Sequence, residues 1–143
     1  ENTTHVVGKL IESTKSKNID FAITGTNWDT RDGTGIRDYI HVWDLAQAHV
    51  STVESFDNII SSKMLHTTIN LGTGEGTTVL ELLTAFEEIT GSPIMKTESA
   101  PRYGDVAGGY TNRDKAMKLL KWEPRMSIEQ GLADAIKWFN KNI

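Results

Sequence analysis

His66-Thr67-Thr68-Ile69-Asn70-Leu71-Gly72-Thr73-Gly74-Glu75-Gly76-Thr77-Thr78-Val79-Leu80-Glu81 decides the class of fold. His66 to Leu71 reads as a strand. Gly72, Gly74 and Gly76 punctuate a turn. Thr78 and Glu81 stand at the spacing of a capping box, in which each side chain meets the other's backbone N–H. Behind it, Val79, Leu82, Leu83, Phe86 and Ile89 repeat at helical spacing, and Gly91 with Pro93 stops the helix. A strand that turns into an amphipathic helix is the repeating unit of an α/β fold.

The same reading extends in both directions. Downstream, Ile94 to Thr97 is a weak strand and Pro101 to Gly109 a loop. Asn112 can cap a helix carrying Ala116, Leu119 and Leu120. Ser127 and Gln130 form a second capping box before Ile128, Leu132, Ala135, Ile136 and Phe139. Upstream, Val6, Val7, Leu10 and Ile11 predict a helix capped from Asn2, Thr3 or Thr4. Phe21 to Thr24 is a short strand, Gly25 to Gly35 a loop or open hairpin, and Ile36 to Val42 an alternating strand. Asp44 can cap a helix with Leu45, Ala48, Val50 and Val53 on its inner face. The expectation is an α/β (α+β) fold with about five helices and one small, few-stranded sheet. Residues 1–143 are expected to form a single domain, with a thin core unless another domain or chain covers one side.

Composition narrows the function. Fifteen Lys+Arg against nineteen Asp+Glu give a formal charge of −4 over 143 residues. A generally basic nucleic-acid binder needs a cationic face, so nucleic acid is not an expected partner. With no cysteine, disulfides, thiolate nucleophiles and Cys-ligated zinc are excluded. No apolar run approaches the ~20 residues of a membrane helix. Glu1 to His5 supply no basic flank before an apolar run, so no signal peptide is expected there, and cytoplasm is the default. The sequence opens on Glu1 and not on Met, as a processed or cut piece would.

Several residues are candidates for chemistry. Gly72, Gly74 and Gly76 lie where a phosphate-cradling turn belongs, but their spacing misses the dinucleotide fingerprint G-x-G-x-x-G. The alternative is a tight turn followed by an N-cap. Arg37 and Arg102 sit in or beside loops, and a guanidinium can grip two phosphate oxygens at once. The alternative for each is a surface ion pair, with Asp38 or Asp105. Tyr39 shares a strand face with Arg37 if that strand forms. His41 and Asp44 read as a structural tie between strand and helix. No spacing of Asp29, Asp32 and Asp38 matches a calcium loop, and His5, His41, His49 and His66 are scattered, so no metal is expected. Trp28, Trp43, Trp122 and Trp138 read as packing.

Taken together, these motifs resemble one family. Asp32-Gly33-Thr34-Gly35-Ile36-Arg37-Asp38-Tyr39-Ile40-His41-Val42-Trp43-Asp44-Leu45-Ala46-Gln47-Ala48-His49 is similar to a segment of the UDP-glucose 4-epimerases, which are extended short-chain dehydrogenase/reductases. Asn70 to Val79 resembles the family's next motif. Pro101-Arg102-Tyr103-Gly104-Asp105 resembles its Arg-x-Gly-Asp loop. Lys115-Ala116 with Leu120-Lys121-Trp122-Glu123-Pro124 resembles its closing helix and turn. The family's Gly-x-x-Gly-x-x-Gly and Tyr-x-x-x-Lys motifs have no counterpart here. The resemblance therefore implies the C-terminal, substrate-binding portion without the N-terminal NAD-binding Rossmann half. It also implies no catalytic residue and no cofactor in this chain, NAD belonging to the whole enzyme.

The resemblance assigns roles by position. Asn2 and Thr3 fall at the entry that touches diphosphate and sugar. Ala22, Ile23 and Thr24 fall on the strand that holds uracil. Arg37 and Arg102 are the diphosphate arginines, Tyr39 a pocket tyrosine, Val79 an apolar nucleotide contact and Asp105 the ribose acceptor. The implied ligand is a UDP-sugar, and the implied setting is galactose metabolism. Three readings follow: a UDP-sugar-binding portion that is catalytically silent alone, an interaction module that forms homo-oligomers or docks a separate Rossmann chain, or part of a related nucleotide-sugar dehydratase or decarboxylase.

Overall fold

A computed structural model describes residues 5–14, 19–60 and 65–141. The expected caps Asn2, Thr3 and Thr4, and with them the candidate site residues Asn2 and Thr3, lie outside the described residues. The elements in chain order are α1 (Val6–Ser13), β1 (Ile19–Thr24), β2 (Ile36–Arg37), α2 (Val42–Glu54), α3 (Phe56–Ile59), β3 (Thr77–Thr78), α4 (Val79–Thr90), β4 (Ile94–Ser99), α5 (Asp114–Leu120) and α6 (Ile128–Lys141). The chain divides into two compact units. The first joins residues 1–37, 77–108 and 128–143, and the second joins 38–76 and 109–127.

In the first unit β1 and β4 pair in parallel, from Ile19↔Ile94 to Thr24↔Ser99. β2 and β3 pair antiparallel, Ile36↔Thr78 and Arg37↔Thr77. The α/β class is as expected, but the strands make two two-stranded sheets and not one. Leu10, Leu82, Leu83, Phe86 and Leu132 are completely or almost completely buried. They come from α1, α4 and α6, and α6 packs on both of the others. The capping box is formed: the Thr78 hydroxyl accepts from Glu81 N, and the Glu81 carboxylate accepts from Thr78 N. Gly91 ends α4 at φ 65°, the left-handed conformation that glycine adopts at least cost.

The second unit is built on Ala48, Ala116, Leu120 and Trp122, with Ile40, Ile59, Ile69 and Leu71 packed against them. The Trp122 indole N–H donates to the Asp44 carbonyl at 3.0 Å. The Asp44 carboxylate, itself buried, accepts from Arg125 N at 3.1 Å and Met126 N at 2.9 Å.

Four further expectations are corrected. The strand over Ile36–Val42 stops at Arg37, because α2 begins at Val42, with His41 as its N-cap. Asp44 is therefore inside the first turn. Its carboxylate ties down the Arg125–Met126 backbone and does not cap. Val50 and Val53 are exposed, since the packed face of α2 runs through Asp44 and Ala48. His66 to Leu71 has the alternation of a strand but belongs to neither ladder, and a strand exists only with a partner to bond.

Phe86 is fully buried, so Phe86→Ala should remove about 3–5 kcal/mol of stability. Urea denaturation of the two chains checks this, and a change under about 1 kcal/mol would mean that the site collapses around the smaller side chain.

Candidate functional site

The expected ligand residues of the first unit lie around one loop. β1 ends at Thr24, and Gly25 N donates to the Ser99 carbonyl at the end of β4 at 2.9 Å. The chain leaves β4 into Pro101–Gly108. Asp105 N donates to the Arg102 carbonyl at 3.0 Å, and the Asp105 carboxylate accepts from Arg102 N at 2.9 Å. This reciprocal pair shapes the turn that holds Arg102 and Asp105, with Gly104 at φ 85°. The loop then returns to β2, where Ile36 N donates to the Ala107 carbonyl at 2.7 Å and Ile36 forms a parallel bridge with Gly108.

Arg37 sits at that return. Its Nη1 donates to its neighbour's carbonyl, Ile36 O, at 2.7 Å and to Ala107 O at 3.1 Å. Arg37, Arg102 and Asp105 are all exposed. The surface ion pairs that the sequence left open are not formed among the described residues: Asp38 is engaged elsewhere, and Asp105 accepts from Arg102 through the backbone. Val79 opens α4 half-buried, and its N–H donates to Gly35 O at 2.9 Å. Ile23 is buried, while Ala22 is exposed and Thr24 half-buried. The structure thus gathers Thr24, Arg37, Val79, Arg102 and Asp105 onto elements bonded to one another. Tyr39 lies in the second unit, half-buried.

A hydrogen-bond network behind this face was not legible as a motif. The Asp32 carboxylate accepts from Thr34 N at 2.9 Å, from the Thr34 hydroxyl at 2.8 Å and from the Thr78 hydroxyl at 2.5 Å. Desolvation pushes the Asp32 carboxyl pKa up, but the Thr78 and Thr34 hydrogen bonds and the charge of Arg31 outweigh it, leaving it below the usual value. Glu81 is held below its usual value chiefly by Arg31, which grips both of its oxygens, and further by Thr78, against a smaller opposing effect of burial.

The glycine run has a different use from phosphate binding. Thr73 N and the Thr73 hydroxyl donate to one oxygen of Asp38 at 2.8 and 2.6 Å, and Thr111 N donates to the other at 2.9 Å. At Gly72 a Cβ would overlap the Asp38 carboxylate and press on Thr111. Asp38 therefore occupies the turn with the chain's own negative charge, where a phosphate would be repelled. These residues do not fit the diphosphate of NAD. Burial raises the Asp38 pKa, but the Thr73 and Thr111 bonds outweigh it and leave it low. His41 is structural, its Nδ1 accepting from Trp43 N at 2.9 Å. Among the described residues no His/Asp/Glu cluster could hold a metal ion, and no helix is long and apolar enough to cross a membrane.

A family model described as the NAD dependent epimerase/dehydratase family matches residues 1–72, half of the sequence. The chain belongs to that family. Among its members, this chain is 40% identical over 99% of its length to a UDP-glucose 4-epimerase of Rhizobium meliloti, of which it covers 42%. A solved UDP-glucose 4-epimerase of Bifidobacterium longum, in complex with NAD+ and UDP, is similar over 99% of this chain and 40% of its own, at 37% identity and a TM-score of 0.78. That of Stenotrophomonas maltophila, with bound NAD and formylated UDP-arabinopyranose, is similar over 98% and 40%, at 31% identity and a TM-score of 0.83. The chain thus spans about two fifths of the length of these relatives.

The low pKa values of Asp32 and Asp38 set the direction of a pH effect. In the unfolded chain each carboxyl returns to about 3.8 and binds protons more readily than in the fold. The stability they contribute is present above that value and is lost as pH falls through the lower, folded values. Urea midpoints measured from pH 6 down to pH 2 should fall most steeply below about pH 4, and Asp38→Asn should flatten that fall. An unchanged acid limb in Asp38→Asn would remove Asp38 from the account.

Proposed function

We propose that this chain is the C-terminal, UDP-sugar-binding portion of an enzyme of the UDP-glucose 4-epimerase type. The observation that carries the reading is the anchored loop: the loop bearing Arg102 and Asp105 is bonded back to the strand bearing Arg37. Two guanidinium groups on connected backbone can meet the two phosphates of a nucleoside diphosphate. Asp105 would accept from the ribose, Val79 would supply apolar contact, and the end of β1 at Ala22–Thr24 would meet the uracil. In the same reading Asn2 and Thr3 would touch the diphosphate and sugar, and Tyr39 would be a pocket tyrosine. The relatives solved with UDP or a UDP-sugar support that ligand class.

The chain's part is binding and orientation. Hydride transfer at the sugar belongs to NAD, which the relatives bind, and the glycine turn here is filled by Asp38. The sequence holds no Tyr-x-x-x-Lys to take the hydroxyl proton. NAD and that pair belong, on this reading, to an N-terminal Rossmann portion, with the protein acting in the cytoplasm.

A second reading has one observation in its favour. In the second unit Val42, Trp43, Val50, Val53 and Phe56 are at least half exposed, and an apolar surface of this kind marks an interface. Self-association or a separate Rossmann chain would cover it. A sedimentation profile showing only monomer would count against self-association.

Titration with UDP and UDP-glucose, followed by NMR or calorimetry, tests the ligand. The open, exposed site predicts weak binding, and Arg37→Ala or Arg102→Ala should each weaken it about tenfold or more, the worth of a charge-assisted hydrogen bond. Equal binding by wild type and both variants would overturn the assignment. With NAD added, the chain alone should show no epimerase turnover, and measurable turnover would end the claim of silence.

A further inference from the structure

Arg37 is the only candidate ligand residue whose guanidinium is bonded to backbone among the described residues, and the way it is held depends on a residue with no side chain. Nη1 donates to both Ile36 O and Ala107 O. A single Nη carries two protons, so both are used and the Nη2 and Nε edge stays free to donate. The guanidinium lies close to Gly35 and against Gly108. A Cβ at Gly35 would meet Nη1 at 3.7 Å, an ordinary contact, but one at Gly108 would overlap both Ile36 O and Arg37 Nη1. Gly108 also has φ 105°, which side-chain-bearing residues rarely adopt.

The geometry points to Gly108 as a positioning residue for the anion site. By leaving room for the Arg37 guanidinium beside the Ala107 carbonyl, it fixes which edge of Arg37 faces a ligand and locks Arg37 to the loop that carries Arg102. This rests on the reading that Arg37 meets the diphosphate. Arg102 differs: its guanidinium has no bond to a described residue, so it closes on the ligand as a free arm while Arg37 is the fixed one. The asymmetry matters because a donor held in place loses less freedom on binding than one that must be ordered.

A double-mutant cycle separates positioning from general damage. UDP affinity is measured for wild type, Gly108→Ala, Arg37→Ala and the double variant. Gly108→Ala should lose about tenfold in affinity, and its added loss should be clearly smaller in the Arg37→Ala background than in wild type, since the part that acts through Arg37 is already gone there. Losses that multiply, or full affinity in Gly108→Ala, overturn the proposal while leaving the ligand site intact. Failure of the wild type to bind UDP overturns the ligand reading and this inference with it. Should Gly108→Ala not fold, guanidinium NMR of the wild-type chain decides. Slow rotation about the Arg37 Cζ–Nη1 bond, against fast rotation in Arg102, supports the proposal, and equally fast rotation in both refutes it.

Discussion

The first unit depends on the hydroxyl of Thr78. It donates to Asp32 and accepts from Glu81 N, while the residue itself pairs with Ile36 and is completely buried. One side chain therefore joins the loop before β2, the short ladder and the start of α4. An unmade hydrogen bond here would leave a polar group dry, at a cost of about 1–3 kcal/mol. Arg37 lies in this ladder opposite Thr77, and Val79 directly follows it, so the placement of both residues follows from the junction. Arg31 closes the outer side by gripping Glu81, the other half of the capping box.

Much of this was legible in the sequence, and the reasons are local. The capping box Thr78–Glu81, the glycine stop at Gly91 and the apolar stripe through Phe86 depend on residues within a few turns of each other, and all are found. What failed depended on partners far along the chain. His66 to Leu71 alternates like a strand, but alternation does not supply a neighbouring strand. Asp44 has the composition and position of a cap, yet the donors that claim it are Arg125 N and Met126 N, which no periodicity announces.

The candidate site divides the same way. Arg37 and Arg102 stood out as loop arginines, and the resemblance gave them a role. The ion pairs that would have made them ordinary surface residues were an open alternative, settled by where Asp38 and Asp105 bond. Asp38 is the instructive case. Its neighbour Arg37 is adjacent in sequence, but its carboxylate goes to Thr73 and Thr111, so a turn with the look of a phosphate cradle is saturated by an internal anion. A turn that carries its own counter-charge can hold its shape with no ligand present.

The first unit is assembled from three separate stretches, with the second unit spliced between them twice. Its longest ladder among the described residues runs from Ile19↔Ile94 to Thr24↔Ser99, so the two strands cannot zip from a hairpin and must meet across a long stretch of chain. Closing such a contact early is entropically expensive, and topologies rich in distant pairings fold slowly. The second unit, by contrast, can shorten that search: once its own core of Ala48, Ala116, Leu120 and Trp122 has formed, the distance along the chain between β1 and β4 is no longer a free loop. The interleaving thus makes the β1–β4 ladder a long-range closure, which should slow folding relative to a hairpin-built sheet of the same size.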